Sequence, residues 1–372
     1  MSNNNQIRRR NVLRTIGGSA ALGLAGTVAA SEELLEINVG FDDERGAEVA
    51  RAEAAGGVKR EFAFGAVTID VPETAAKGLK KNPHVEYVEK NGEMRALDDY
   101  PWGIERVEAD VAHDSGYGGA GASVSVIDTG IDSSHSDLEG NVAGGACFSG
   151  CSEGCETCWD DDNGHGTHVA GTAGAALNGD GVVGVGPDVD LYGVKVLDGN
   201  GTGTYSDIAA GIEWTADQGI DVANLSLGGR YSGVIHDACR YAAERGVLLV
   251  AAAGNGGCAT CISYPAAFEE CIAVSATDRD DTLANFSASG PEIELVAPGV
   301  DVLSTYPDDD YQRLSGTSMA APHVAGAGAQ LMATGLSRAD ARQRLRDTAD
   351  DIGLPAEQQG YGLVNVRRAL WP

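Results

Sequence analysis

Residues 97–372 are predicted to form an α/β domain with a mostly parallel central sheet and helices on both faces, preceded over residues 31–96 by a small ferredoxin-like α+β unit. Three observations carry this. Short apolar runs alternate with helix-length segments through the second part, the pattern of parallel strands covered on both sides. The first part instead spells the order β-α-β-β-α-β. The charge also breaks between them: of 55 acidic and 26 basic side chains, residues 1–96 hold 14 and 13, leaving 41 and 13 for the rest.

In the first part Leu34 to Phe41 reads as a strand and Asp43 to Ala55 as a helix. Val58 to Phe64 and Ala66 to Val71 pair around Gly65, Pro72 to Lys81 is a second helix, and Val85 to Lys90 the last strand. In the second part Val124 to Ile127, Leu191 to Val196, Val222 to Leu227, Leu248 to Ala253 and Ile272 to Ala276 are apolar strands. Between and after them, His165 to Leu177, Tyr205 to Gln218, Gly233 to Arg245 and Ser318 to Met332 read as helices. Functional residues of such a sheet gather at the carboxyl ends of its strands.

The net charge of −29 falls almost wholly on residues 97–372, where Lys195 is the only lysine. An acidic, lysine-poor surface suits a domain solvated in concentrated salt and excludes nucleic acid as a partner. Arg8-Arg9-Arg10 and the Gly/Ala-rich run from Thr15 to Ala30 read as a twin-arginine signal peptide over residues 1–30. No other stretch is long and apolar enough for a membrane span, so a soluble, secreted monomer is expected. A compact unit between a signal peptide and an acidic domain reads as a pro-segment rather than an independent binding domain.

Three glycine-flanked contexts carry chemistry. Asp128 closes the strand Ser123–Ile127, where a shielded carboxylate needs a partner such as a histidine N–H. His165 lies between Gly164 and Gly166, open to a ligand backbone and suited to general-base work. His168, one turn on, lacks the intervening carboxylate of a zinc-protease helix and reads as a packed histidine. Ser318 follows Gly316-Thr317 at a helix start, where unpaired amides favour developing negative charge. Pro322 has no N–H to offer the Ser318 carbonyl, which is thereby released from the helical ladder. The order Asp128, His165, Ser318 is one of the known orders of a Ser-His-Asp triad.

Ser123–Ile131, His165–Thr172 and Gly316–His323 resemble the three signature blocks of subtilisin-like serine proteases. That resemblance implies a secreted endopeptidase: Ser318 attacks, His165 shuttles the proton and Asp128 orients it. Asn255 would be the oxyanion donor beside the Ser318 N–H. Ser226, Leu227, Gly228 and Gly201, Thr202, Gly203 would form two edges pairing with protein or peptide substrate as an added strand. Ala252, Ala253 and Gly254 would line the first specificity pocket and Tyr205 the rim of a more distant one. Gly256, not an acidic residue, follows Asn255, so apolar or aromatic residues are expected at the cleavage site. Residues 31–96 look like the family's inhibitory and chaperone pro-domain, with maturation between Met94 and Leu97. The acidic surface and twin arginines look like haloarchaeal members.

Catalysis of this type needs no cofactor. Structural Ca²⁺ is expected at Asp137, Leu177, Asn178 and Val182 by resemblance, in a turn one residue shorter than in relatives. The acidic runs Asp160–Asp162 and Asp308–Asp310 read as solvated surface. Eight cysteines, at 147, 151, 155, 158, 239, 258, 261 and 271, suggest disulfides, with zinc as the rival reading of the first four. The alternative functions are a non-catalytic relative binding peptides in the same cleft and a cysteine-rich metal-binding protein.

Overall fold

The computed structural model describes residues 34–41, 43–91, 100–150 and 158–372. The signal peptide, the maturation region, Cys151 and Cys155 lie outside the described residues. The chain divides into two compact units, within Met1–Met94 and Arg95–Pro372.

The first unit runs β1 (Leu34–Gly40), α1 (Glu44–Glu53), β2 (Val58–Phe62), β3 (Ala66–Pro72), α2 (Glu73–Leu79) and β4 (Tyr87–Lys90). Its antiparallel sheet has the order β2-β3-β1-β4, the β-α-β-β-α-β arrangement expected. Asp43 starts α1 by accepting from the Gly46 N–H at 2.9 Å. Ile37, Val39, Val67, Ile69 and Val71 form its core with Ala50 and Leu79.

The second unit opens with α3 (Trp102–Arg106) and α4 (Ala109–Asp114), then β5 (Ser123–Asp128), β6 (Val142–Cys147), α5 (His165–Gly174), β7 (Asp190–Lys195) and α6 (Tyr205–Asp217). It continues with β8 (Val222–Leu225), α7 (Gly233–Glu244), β9 (Leu248–Ala252), β10 (Cys271–Thr277), β11 (Ile293–Pro298) and the hairpin β12 (Val302–Tyr306) and β13 (Asp310–Leu314). Helices α8 (Thr317–Ala333), α9 (Arg338–Thr348), α10 (Ala356–Gln359) and α11 (Val366–Leu370) complete it. The seven-stranded sheet has the order β11-β10-β9-β8-β5-β7-β6, parallel throughout.

Strand periodicity decides the two cores. Val124, Val126, Leu248 and Val250 pack on one face with Val169 of α5 and Val324 of α8. Ile127, Leu249 and Ala251 turn to the other, against Ile208 and Ile212 of α6 and Ile235 of α7. Small residues let α8 sit close: a Cβ at Gly326 would lie 2.7 Å from the Ala173 carbonyl oxygen.

Three strands of the seven-stranded sheet depart from the sequence pattern, and the hairpin β12–β13 has no predicted counterpart. β6 carries Gly144 and Gly145, and a Cβ at Gly145 would lie 2.3 Å from the Gly193 carbonyl oxygen, so close approach replaces β-branched packing. β11 contains the buried Glu294, held by Arg342 and Arg346 from α9. The predicted strand to Leu227 stops at Leu225, where the chain leaves the sheet to edge the cleft. Helix α5 likewise ends at Gly174 rather than Leu177, because Ala175 is extended.

Candidate active site

The site lies at the carboxyl ends of the central strands. Asp128, the last residue of β5, is fully buried, and its Oδ1 accepts the Thr129 N–H at 2.7 Å and His165 Nδ1 at 2.8 Å. His165 begins α5. Helix and strand are brought together by Gly166, whose N–H donates to Thr129 Oγ1 at 2.9 Å and where a Cβ would lie 2.1 Å from the Gly130 carbonyl oxygen. Asp161 caps the helix start, accepting the Gly164 N–H at 3.0 Å and the Thr167 N–H at 2.9 Å.

Burial disfavours the His165 imidazolium, but the Asp128 carboxylate outweighs it by charge and hydrogen bond, with Asp161 adding. The pKa is therefore raised above the ordinary 6.5. His168 is packed as expected: its Nε2 lies 3.0 Å from the Val302 carbonyl oxygen and 3.1 Å from that of Gln312, and burial lowers its pKa to about 4.

Ser318 is the second residue of α8, whose first amides have no helical acceptor. The carbonyl that Pro322 releases accepts from Ser226 Oγ at 2.8 Å, and the Ser318 hydroxyl donates to the Ser226 carbonyl at 3.2 Å. Asn255 is fixed through its amide oxygen, which accepts the Thr317 N–H at 2.9 Å and the Thr317 hydroxyl at 3.0 Å. That leaves Nδ2 as the donor end. A Cβ at Gly316 would lie 3.4 Å from Asn255 Nδ2 and 3.7 Å from the Ser318 nitrogen, so both donors border the same position.

A cleft of about 440 Å³ opens beside His165. Gly201, Thr202, Gly203, Tyr205, Ser226, Leu227 and Gly228 line it, together with the apolar Ile208 and Ile235. Asn255, Ser318, Ala252, Ala253 and Gly254 do not line it. Ala252 and Ala253 have their side chains in the two cores, so only the backbone there is left for a ligand.

Residues 119–363 match the Subtilase family. The chain is similar to a thermostable alkaline protease of Halalkalibacterium halodurans, with 42% identity over 363 residues, 96% of this chain and 97% of that protein. The chain belongs to the Subtilase family. Subtilisin DY of Bacillus licheniformis is 48% identical over 276 residues, 72% of this chain and 98% of its own. An alkaline protease of Alkalihalobacillus alcalophilus is 44% identical over 307 residues, 82% of this chain and 78% of its own. This subtilase is a serine endopeptidase of the subtilisin type.

Residues without a sequence signal also pack around the site of this subtilase. Ser263 stands between Gly228 and Gly254: a Cβ at Gly228 would lie 2.8 Å from Ser263 Cβ, and one at Gly254 2.7 Å from Ser263 Oγ. The Ser263 N–H donates to the Ala253 carbonyl at 2.8 Å. The Asp160–Asp162 run is not merely solvated surface. Asp160 accepts the Ser133 hydroxyl at 2.7 Å, Asp161 caps α5, and Asp162 pairs with Lys195 at 2.6 Å. In the other run, Asp309 accepts the Ser136 N–H at 2.7 Å.

The expected calcium ligands Asp137, Leu177, Asn178 and Val182 do not form a cation cage. Asp137 Oδ1 accepts Asn178 Nδ2 at 3.1 Å, and Oδ2 accepts the Val182 N–H at 2.8 Å and the Tyr311 hydroxyl at 3.0 Å. Calcium needs oxygens turned inward, whereas the short turn presents donors to this buried carboxylate and directs the Asn178 oxygen to the Asp180 N–H. Cys258 and Cys261 are joined by a disulfide just after Asn255, and Cys147 is also disulfide-bonded. Cys239 and Cys271 are buried thiols.

Proposed function

We propose that this subtilase cleaves proteins through Ser318, His165 and Asp128. The observation that carries the reading is the 2.8 Å contact of His165 Nδ1 with the buried Asp128, beside a cleft reached by Ser318 through Ser226. In this reading the Ser318 hydroxyl leaves the Ser226 carbonyl and donates instead to His165 Nε2. His165 then takes the proton as Oγ attacks the peptide carbonyl. Asn255 Nδ2 and the Ser318 N–H hold the oxyanion. Collapse transfers the proton from His165 to the leaving amine, and water resolves the acyl-enzyme by the same steps. Asp128 keeps the Nδ1 proton in place and stabilises the imidazolium.

Substrate pairs by its main chain between Gly201–Gly203 and Ser226–Gly228. Ala252, Ala253 and Gly254 contribute backbone to the slot for the residue before the cut, and Tyr205, Ile208, Leu227 and Ile235 take a more distant apolar side chain. No acidic residue stands beside Asn255, which favours apolar or aromatic over basic residues at the cut. Residues 31–96 act as chaperone and inhibitor until the chain cuts itself near Leu97, after export by the twin-arginine route. The low lysine content and the excess of acid favour a mature enzyme that works as a monomer in concentrated salt.

The test compares the native chain with Ser318→Ala, both folded in molar NaCl. Casein hydrolysis and removal of residues 31–96 should occur only with Ser318. Equal behaviour of the two chains favours the non-catalytic peptide-binding reading.

A further inference from the structure

Lys195 closes β7 as the register partner of Asp128 on β5. It is 3% exposed, and it is the only lysine of residues 97–372. An ammonium has three donors, and three acceptors surround this one: the Thr129 carbonyl at 2.7 Å, Asp162 Oδ1 at 2.6 Å and the Leu197 carbonyl at 3.1 Å. Burying an ammonium costs several kcal/mol unless it is paired and hydrogen-bonded. The single lysine of this unit thus lies beneath its active site.

The three acceptors belong to three segments that meet at the cleft. Thr129 follows Asp128, donates its N–H to Asp128 Oδ1 and receives the Gly166 N–H on its hydroxyl. Leu197 lines the cleft, and its chain runs on to the Gly201–Gly203 edge. Asp162 precedes Asn163, whose Nδ2 donates to the Gly199 carbonyl at 3.0 Å and whose carbonyl accepts from Tyr306 at 3.1 Å. Only a compact ammonium brings three donors to one point, because the donors of arginine are spread over a planar fork.

We propose that Lys195 is a positioning residue for peptide hydrolysis, tying the Thr129 carbonyl, the Leu197 carbonyl and Asp162 to one nitrogen so that Asp128 and the substrate edge stay in register with His165. This rests on the triad reading above.

The test reads His165 directly, by NMR titration of its imidazole in the Ser318→Ala chain folded in molar NaCl, with Lys195 intact and as Lys195→Met or Lys195→Arg. The anions facing that ring are Asp128 and Asp161. Loosening Asp128 withdraws support from the imidazolium, so the midpoint should fall by about one pH unit in both variants. If Lys195 acted only by its charge, the midpoint would rise in Lys195→Met and stay in place in Lys195→Arg. If it acted only on stability, the melting temperature would drop with the midpoint unmoved. Either result overturns the proposal, and Lys195→Arg, which keeps the buried charge, carries the comparison if Lys195→Met does not fold. In the Ser318-bearing chain, kcat should fall about 10–100-fold with a smaller change in KM. A falling midpoint with no hydrolysis by the native chain would sink the triad reading and leave the positioning of His165 standing. An active native chain with an unmoved midpoint would do the reverse.

Discussion

Ser226 and Ser318 exchange hydrogen bonds, hydroxyl to carbonyl in each direction, at 2.8 Å and 3.2 Å. Pro322 makes this exchange available by leaving the Ser318 carbonyl without its helical donor. The cleft edge and the start of α8 are therefore fixed to one another. Ser226→Ala leaves that carbonyl unpaired at a cost of about 1–3 kcal/mol. It should lower both the melting temperature and kcat, whereas a variant matching the parent in both would show the exchange to be incidental.

Hydrolysis should depend on a neutral His165. Because Asp128 raises its pKa above 6.5, the acid limb of kcat/KM should lie above that pH. In Asp128→Asn the limb should move down and kcat should fall by about 10⁴, the loss known for this substitution in serine proteases. A pH–rate profile of the two proteins checks this. A limb unmoved by the substitution would separate the titrating group from the Asp128 pair.

The proposed side-chain oxyanion donor is Asn255, whose amide oxygen is held by Thr317. Its loss in subtilisin is known to cost about 10²–10³ in kcat, and Asn255→Ala should do the same here with KM little changed. Single-turnover kinetics on a chromogenic peptide separate the two constants. A fall confined to KM would place Asn255 in ground-state binding.

Ser263 occupies the space between Gly228 and Gly254. Ser263→Gly should deepen the slot before the cut and raise kcat/KM about tenfold for a phenylalanine there relative to alanine. Competing peptide substrates give the ratio directly. An unchanged ratio would put Ser263 outside the specificity slot.

Protonation of buried histidines should weaken the fold. Burial lowers His168 and His323 to about 4 and His113 in the same direction, while His165 moves oppositely. The unfolded chain binds protons near 6.5, so the contribution of the three lowered histidines is fully present above that pH. It is lost as the pH falls towards 4, on the order of 3 kcal/mol each for His168 and His323. Melting temperatures in molar salt should decline between pH 6.5 and 5, before most carboxylates titrate. A flat profile over that window would contradict it.

Much of this was legible in the sequence because apolar strands such as Leu248–Ala252 also announce themselves by type, and because Asp128, His165 and Ser318 stand in glycine-rich contexts that close backbone approach demands. The β6 strand was hidden by Gly144 and Gly145, and β11 by Glu294, whose cost is met by two arginines from a later helix. The Asp137 turn misled because acceptor-rich residues look the same whether they hold a cation or receive Val182 and Tyr311 donors. Ser263 and the threefold anchoring of Lys195 depend on contacts between distant segments, which residue type and spacing do not carry.

The most direct measurement of the central claim is covalent trapping by an organophosphorus fluoridate, followed by peptide mass mapping in molar NaCl. A single phosphoryl adduct is predicted on the peptide carrying Ser318, abolished in His165→Ala, with loss of casein hydrolysis in proportion to labelling. Labelling elsewhere, or full hydrolysis after Ser318 is modified, would contradict it.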